Sequence, residues 1–187
     1  MSLTAGKEGK YMEFKDLIME RRSIRSYDGE KKVTKEQLEG IIKQAQMAPT
    51  WKNTQNARYY CVIGDKLDEV REKGLPSFNQ KNSAGAALVV TTYVKGLAGY
   101  GPNGPTDDIE DVWGGYDLGI QNAYFILAAK EAGLDTLIMG IRHGDVLREM
   151  LSIPDDEVVV SVIAVGYRAA EPKLGPRKEL DKIAKFI

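Results

Sequence analysis

The chain has 187 residues, of which 43% are hydrophobic and 28% are charged, and its formal net charge is −1. This composition is typical of a soluble globular domain with a sizeable core, and the small net charge excludes general attraction to nucleic acid or to a membrane surface. The lone cysteine, Cys61, and the lone histidine, His143, exclude an internal disulfide and a zinc site built from several Cys and His ligands.

A single domain is predicted over residues 12–187, after a flexible, polar N-terminal segment at residues 1–11. No apolar run approaches the roughly 20 residues of a membrane-spanning helix, and no secretory leader pattern is present. Together with the single thiol, these features lead us to expect a cytoplasmic protein.

Two helices are predicted in the first part of the chain. Apolar residues at helical spacing predict a helix over residues 12–22, and Arg21 and Arg22 fall at its end. The sequence TKEQ at residues 34–37 is a capping box that begins a second helix, which Pro49 ends.

Apolar and β-branched runs predict strands at residues 57–64, 86–94 and 158–166, with a short extended piece at residues 134–140. A long helix is predicted over residues 116–132, and it is apolar on most sides. Such a helix needs cover from a deep core or from a second subunit. Because helices and strands do not alternate strictly, we expect an α+β fold rather than a doubly wound sheet.

Three further segments connect or follow these elements. The Gly- and Pro-rich stretch at residues 95–115 is typical of a lid or binding loop. Asp145 is predicted to cap a short helix over residues 146–151. The tail at residues 171–187 has no clear periodicity, and we expect it to reach outward.

Two familiar enzyme signatures are weak here. Residues 99–104 match the G-x-G-x-x-G pattern, but Pro102 and Pro105 argue against the helix that a dinucleotide site needs, so we expect a loop. No G-x-S-x-G elbow is present. Cys61 is predicted to be a small core residue, and His143 a loop residue before a helix, which argues against nucleophilic catalysis.

The stretch ERRSIRSYDG at residues 20–29 concentrates positive charge around Ser23. Arg21 and Arg22 could simply complement the dipole at a helix C-terminus. Arg25 and Ser23 extend the pattern beyond that helix, however, and guanidinium forks with a hydroxyl suit a phosphate monoester. A nucleic-acid patch is a weaker interpretation, because the motif is short and the net charge is −1.

Two other segments are candidates for ligand contacts. In the loop between the second helix and the first strand, Asn53, Gln55 and Asn56 offer amide groups that could read the edge of a heterocycle. At residues 133–141, Gly140 would allow close approach by a flat ligand. The simpler alternatives are a connecting loop and a strand end in the core.

The order of these segments closely resembles the nitroreductase family of FMN-dependent oxidoreductases. The motif RRSIRSY comes first, followed by a helix ending in APT, an Asn- and Gln-rich loop, a buried helix, GLDTLIMG and VIAVGY. The resemblance implies an α+β fold with a central, mainly antiparallel sheet flanked by helices. It also implies an intertwined homodimer in which the C-terminal tail extends onto the partner subunit.

The resemblance implies FMN as cofactor, with NADH or NADPH as transient electron donor. The residues that match the family's cofactor contacts are Arg21, Arg22, Ser23, Arg25, Pro49, Thr50, Trp51, Asn53, Asn79, Met139, Gly140 and Arg177.

The implied roles of these residues differ along the chain. The arginine motif and Arg177 would hold the phosphate and ribityl chain, with Arg25 near flavin N1 and O2. Residues 49–53 would reach the flavin of the other subunit, and the backbone of Met139 and Gly140 would approach flavin N5. Some relatives carry Glu where Met139 stands, so we expect a less polar pocket beside the flavin.

The implied reaction is ping-pong transfer of hydride through flavin N5 to a flat acceptor such as a nitroaromatic or a quinone. No side-chain nucleophile is needed, because the cofactor carries the chemistry. Other family reactions stay open, namely dehalogenation, enoate reduction, azoline oxidation and flavin fragmentation, as does a non-catalytic FMN-binding protein.

Overall fold

A computed structural model describes residues 12–187; the predicted N-terminal segment at residues 1–11 lies outside the described residues. Within that range the α-helices are α1 (Phe14–Glu20), α2 (Lys35–Ala45), α3 (Leu67–Gly74), α4 (Ser77–Asn82), α5 (Val112–Glu131) and α6 (Gly144–Leu151). The β-strands are β1 (Ala57–Val62), β2 (Ala87–Val94), β3 (Tyr100–Gly101), β4 (Gly104–Pro105), β5 (Asp135–Met139) and β6 (Glu157–Gly166). Their order confirms the predicted α+β class.

The central element is a four-stranded antiparallel sheet with the strand order β1-β2-β6-β5. Successive residues of a strand face opposite sides of the sheet. On one face, Leu88 packs in a cluster with Val70 of α3 and Leu147 of α6. On the other face, Ile163 packs with Ile41 of α2 and Phe125 of α5. Because helices cover both faces, β2 and β6 read as nearly continuous apolar runs.

Helix α5 starts at Val112, earlier than the predicted start at residue 116, and Gly133 follows it with a φ of +76°. Leu118 and Phe125 are fully buried on its inner side. On its outer side Tyr116 is 59% exposed, and Val112 is also exposed. The core of this chain therefore covers α5 on one side only and leaves an apolar side open.

The arginine-rich motif runs beside the β5 edge of the sheet. Ser23 pairs with Thr136 in a parallel bridge, and the Ile24 N–H donates to the Thr136 carbonyl at 3.0 Å. The buried side chains of Ile24 and Tyr27 anchor this segment in the core. Since α1 ends at Glu20, the arginines follow the helix in extended backbone rather than lying within it.

Local sequence signals are confirmed in several places. The Thr34 hydroxyl accepts from the Gln37 N–H at 3.3 Å, and the Thr34 N–H donates to the Gln37 side chain at 3.0 Å, which is the predicted capping box. Residues 99–104 lie in the β3–β4 hairpin, and no helix begins at Gly104. His143 lies directly before α6, as expected.

Other predictions are wrong. Asp145 lies in the first turn of α6 and does not cap it, because the helix already begins at Gly144. Cys61 is exposed rather than buried in the core, because β1 is an edge strand. Helices α3 and α4 were not predicted, because each is too short to display a clear apolar period.

The tail after β6 has little regular structure. It contains one short 3-10 turn, Leu180–Lys182, among residues 171–187. Its apolar side chains at Leu174, Ile183 and Phe186 are exposed, the last of them to 89%. The tail therefore adds little to the core of the chain that carries it.

A buried ion pair fixes the start of β5. The Asp135 carboxylate is 5% exposed and accepts two hydrogen bonds of 2.7 Å from the Arg168 guanidinium. The Lys130 ammonium lies 3.5 Å from the same carboxylate. Hydrogen bonding to Asp135 raises the pKa of Arg168 above its ordinary value. These contacts join β5 to α5 and to the segment after β6.

Replacing Asp135 by alanine should lower the free energy of unfolding by about 3–5 kcal/mol, because Lys130 then stays enclosed without a counter-charge and Arg168 keeps only its pair with the exposed Glu171. The matched control is Glu39→Ala, which removes an exposed ion pair with Lys35 and should cost less than about 1 kcal/mol. Denaturant unfolding of the wild type and both variants measures the difference. Equal losses in the two variants would contradict the assignment.

Candidate functional site

The arginine motif presents alternate side chains to solvent. Extended backbone turns Ile24 inward and leaves Ser23 and Arg25 exposed on the opposite side. Ser23 is paired with Thr136 of β5, and Ile138, two residues further along that strand, is 45% exposed. Gly140 follows two residues later on the same side and is also exposed. We call this exposed side of Ser23, Arg25, Ile138 and Gly140 the outer face.

Guanidinium groups from the arginine motif and from the tail, two distant parts of the sequence, lie close together next to Ser23. Arg21, Arg22 and Arg177 line one cavity of about 340 Å³. Arg22 donates to the Arg21 carbonyl at 2.7 Å, and Arg177 donates to the Gly175 carbonyl at 3.0 Å. The remaining walls are mostly apolar side chains of α1 and α5. We call these residues the arginine pocket.

The charge in the arginine pocket is not compensated. Burial lowers the pKa of Arg21, and the like charges of Arg22 and Arg177 lower it further. Within residues 12–187 neither these three arginines nor Arg25 forms an ion pair with a carboxylate. Planar forks of N–H donors suit the oxygens of a phosphate monoester, and such an anion would relieve the repulsion. The pocket therefore fits a phosphate group.

The turn after β5 is held by side chains rather than by the sheet. Arg142 donates to the Gly140 carbonyl at 2.9 Å and also to the Val159 carbonyl of β6. Asn79 of α4 is 5% exposed, and its side-chain amide donates to the Ile141 carbonyl at 2.8 Å. A Cβ at Gly140 would meet no atom within 4 Å, so the outer face is open at this point.

The Met139 side chain does not contribute to the outer face. It is 3% exposed and belongs to the core cluster on one side of the sheet. The expectation that this methionine makes a pocket beside the ligand less polar is therefore wrong, since only the backbone of Met139 can reach that surface.

The predicted second contact loop packs against the N-terminal part of α5. The Trp51 N–H donates to the Asp117 carboxylate at 2.9 Å, and the Trp51 and Trp113 ring centroids are 4.8 Å apart. Burial raises the pKa of Asp117. Lys52 and Asn53 adopt left-handed backbone with φ of 45° and 56°. Non-glycine residues hold this strained conformation only when their surroundings fix it, which is common at functional sites.

The loop at residues 49–53 and the arginine pocket lie at different heights along α5. The loop contacts Asp117, whereas the pocket is lined by Ala123 and Leu127. With a rise of about 1.5 Å per residue, these positions are roughly 9–15 Å apart along the helix. Pro49 and Thr50 belong to the same loop, and the Thr50 hydroxyl accepts from the Gln55 N–H at 3.1 Å. One chain therefore presents two separate parts of the predicted site.

Sequence reasoning missed three residues of this region, namely Trp113, Asp117 and Arg142. The available signal for Asp117 was a carboxylate in an otherwise apolar helix, where it is 2% exposed. Trp113 was assigned to the loop at residues 95–115, because the start of α5 was placed too late. Nothing in the sequence around Arg142 indicates that it folds back onto the turn that precedes it.

Other kinds of site find less support. Although the Cys61 residue as a whole is exposed, partial desolvation of its thiol raises the thiol pKa to about 11, so the thiol is protonated at neutral pH and is a poor nucleophile. Between residues 12 and 187, His, Cys, Asp and Glu side chains form no group of three that could hold a metal ion. Over the same residues, no helix combines the length and apolarity needed to cross a membrane.

Comparison with known proteins gives a consistent result. A sequence profile of the Nitroreductase family matches residues 18–100 and 102–167. A protein of Archaeoglobus fulgidus, whose name describes an NADH dehydrogenase or NAD(P)H nitroreductase, is 29% identical over 155 residues, which is 81% of this chain and 83% of that protein.

Solved structures have the same fold. A nitroreductase family protein from Clostridium difficile has a TM-score of 0.76 at 25% identity, covering 94% of this chain and 98% of that one. A protein from Exiguobacterium sibiricum, solved in complex with FMN, has a TM-score of 0.80 at 22% identity, covering 97% of this chain and 100% of that one.

Inorganic phosphate should stabilise the protein through the arginine pocket. At a phosphate concentration of about ten times the dissociation constant, the midpoint of thermal unfolding should rise by about 3–6 °C relative to a chloride solution of equal ionic strength. In Arg21→Gln this shift should be lost, while stability in chloride should be no lower because the repulsion is weaker. Scanning calorimetry measures both. The control Arg58→Gln, at an exposed arginine of β1, should keep the phosphate-dependent shift. Loss of the shift in Arg58→Gln would contradict phosphate binding at the arginine pocket.

Proposed function

Because the chain belongs to the nitroreductase family, we propose that it is an FMN-dependent oxidoreductase that uses NADH or NADPH. The observation that carries this proposal is the uncompensated arginine pocket, formed by Arg21, Arg22 and Arg177 beside the outer face. When bound, FMN supplies a site, N5, that takes hydride from the nicotinamide and passes it in a second, ping-pong step to a flat acceptor such as a nitroaromatic or a quinone.

We assign the phosphate of FMN to the arginine pocket. The donors of Arg21, Arg22 and Arg177 can surround an anion, and their mutual repulsion falls when a dianion is present. The exposed hydroxyl of Ser23 follows immediately along the extended chain and suits the polar ribityl chain. These assignments use every polar group that the sequence contributes between α1 and Ile24.

We assign the flavin ring to the outer face. Arg25 is exposed there and makes only a long contact of 3.4 Å with the Ser23 carbonyl, so most of its N–H donors are free for a ligand. A fixed cation near flavin N1 and O2 stabilises the negative charge of the reduced ring. The backbone of Met139 and Gly140 would face N5, and Asn79 keeps a side-chain oxygen for the ring edge.

We propose that two chains form the complete site. Pro49, Thr50, Trp51 and Asn53 lie in a loop separate from the arginine pocket, and, as the family resemblance implies, they would contact the cofactor held by the other subunit. The open side of α5 supports this arrangement, as do the exposed apolar residues of the tail, Leu174 and Phe186 among them. The proposed assembly is a homodimer in which each tail extends over the partner.

The purified protein should be yellow and should release FMN when it is denatured. Under anaerobic conditions, NADH or NADPH should bleach the flavin absorbance, and adding a quinone or a nitroaromatic should restore it. Bleaching without reoxidation by either acceptor would favour another reaction of the family. A folded protein that takes up no FMN from an excess would refute the proposal.

The same assay tests Arg25. Arg25→Ala should weaken FMN binding about tenfold, because a charge-assisted hydrogen bond is lost. It should also lower the two-electron reduction potential by about 30 mV, if the arginine favours the reduced ring by a factor of ten. Arg58→Ala, at an exposed arginine of β1, serves as control and should leave both quantities unchanged. Unaltered affinity and potential in Arg25→Ala would remove that residue from its assigned role.

The assembly can be tested without the cofactor. Tyr124→Glu places a carboxylate on the open side of α5, where the tyrosine is 42% exposed, and should convert the dimer to a single chain because burying an unpaired charge is costly. Lys43→Glu introduces the same group on the exposed surface of α2 and should leave the dimer intact. Light scattering measures the mass of each. A wild type with the mass of one chain at micromolar concentration would contradict the homodimer.

A further inference from the structure

We propose that a cavity beside α3 binds a small organic carboxylate with an apolar body. The cavity has a volume of about 430 Å³, within the range of small-molecule sites in proteins. Three segments line it, namely residues 32–33 before α2, residues 63–71 at the end of β1 and in α3, and residues 85–87 where β2 begins. We call it the α3 cavity, and binding there does not require the proposed oxidoreductase activity.

The α3 cavity is separate from the arginine pocket and from the outer face. It shares no lining residue with the arginine pocket. Ala87 and Thr136 both pair with Val165 of β6, so the cavity lies at the end of the sheet where β5 begins. Gly140 follows the opposite end of β5, and β5 is two strands away from β2 in the sheet order. A ligand in the α3 cavity therefore would not occupy the predicted cofactor site.

Two cationic side chains line the α3 cavity. The Arg71 side chain is only 11% exposed, and it donates to the Ala86 carbonyl at 2.6 Å. Its Nε is enclosed and has no acceptor among residues 12–187, so the chain alone does not satisfy this guanidinium. Lys32 is exposed and forms no ion pair with a carboxylate of the described residues. A guanidinium binds a carboxylate through two parallel hydrogen bonds, and an ammonium adds a second positive charge.

Asp68 supplies the one carboxylate in the lining of the α3 cavity. Its side chain is 95% exposed and pairs with Arg71 one turn later along α3. An exposed partner of this kind contributes little stability, because water readily replaces the contact. The cations of Lys32 and Arg71 against one carboxylate leave a single positive charge, which matches a monoanion. A ligand carboxylate would take the place of Asp68 at Arg71, while Asp68 turns to solvent.

The rest of the lining is apolar or small. Val33, Ile63 and Leu67 provide hydrophobic walls. Gly64 and Gly85 have positive φ of 72° and 83°, which larger residues adopt only with strain, so the backbone keeps this space open. A bare anion such as acetate would leave the walls in contact with water. An aromatic or branched body on the carboxylate would cover them, and burying that apolar surface favours binding.

The test is a titration of the ¹⁵N-labelled protein, saturated with FMN, with benzoate as the probe. The amide resonances of Gly64, Gly85 and Ala87 should shift and saturate, with a dissociation constant below about 1 mM. Benzamide lacks the charge and acetate lacks the apolar body, so each should bind at least about tenfold more weakly. Equal affinity for either analogue would overturn the proposal. Shifts confined to Ser23 and Gly140 would place benzoate on the outer face and would overturn it too.

Three variants test the assigned charges. Asp68→Asn removes the internal competitor and should tighten benzoate binding about twofold to fivefold. Lys32→Gln should weaken it by a similar factor, and Arg71→Met by at least about tenfold, the effect of a charged hydrogen bond. Because Asp68 and Lys32 are exposed, their variants should fold even if Arg71→Met does not. Unchanged affinity in both of these variants would overturn the proposal.

The matched control is Arg148→Met. Arg148 is likewise half-buried and donates to the carbonyls of Ile153, Pro154 and Glu157, and it does not line the α3 cavity. This variant should bind benzoate as the wild type does, and a loss equal to that in Arg71→Met would overturn the proposal. Failure of the proposed function is distinct, because a protein that takes up no FMN can still be titrated with benzoate at the same amides.

Discussion

The pairing of the arginine motif with the outer edge of β5 is the constraint on which the site depends. Ser23 is locked to Thr136, and the buried side chains of Ile24 and Tyr27 hold the segment against the core. Once this register is set, alternation along an extended chain decides which groups meet solvent. Ser23 and Arg25 then share a surface with Gly140, although more than a hundred residues separate them in sequence.

The charges of the arginine pocket indicate that it binds an anion. The buried charge of Asp135 is paired, because Arg168 and Lys130 neutralise it. In the arginine pocket the charges of Arg21, Arg22 and Arg177 repel one another without a counter-charge. The difference between the paired Asp135 and the unpaired arginine pocket is informative, because folding alone gives no reason to gather like charges. The pocket is therefore better explained by what it binds than by the stability of the chain.

Much of the fold could be predicted because its signals are local. The capping box at Thr34 and the apolar strand β6 depend on neighbouring residues, and both are confirmed. The environment of Cys61 could not be predicted, since an edge strand and a central strand can have the same apolar sequence. The hydrogen bonds from Arg142 to backbone carbonyls could not be predicted from the sequence either, because they depend on where the chain leaves the sheet. At the candidate site, the residue types of the arginine motif predicted an anion site. The position of Arg177 close to Arg21 and Arg22 depends on the path of the tail and is visible only in the structure.

The placement of Arg177 on the tail makes the arginine pocket depend on residues 171–187. Residues 171–187 contribute little to the core of the chain that carries them, so a truncation there would leave the sheet folded. A cut before Arg177 would remove one of the three guanidiniums and leave the other two in place. The shortened molecule would keep its sheet, yet it would hold an anion in the arginine pocket less tightly.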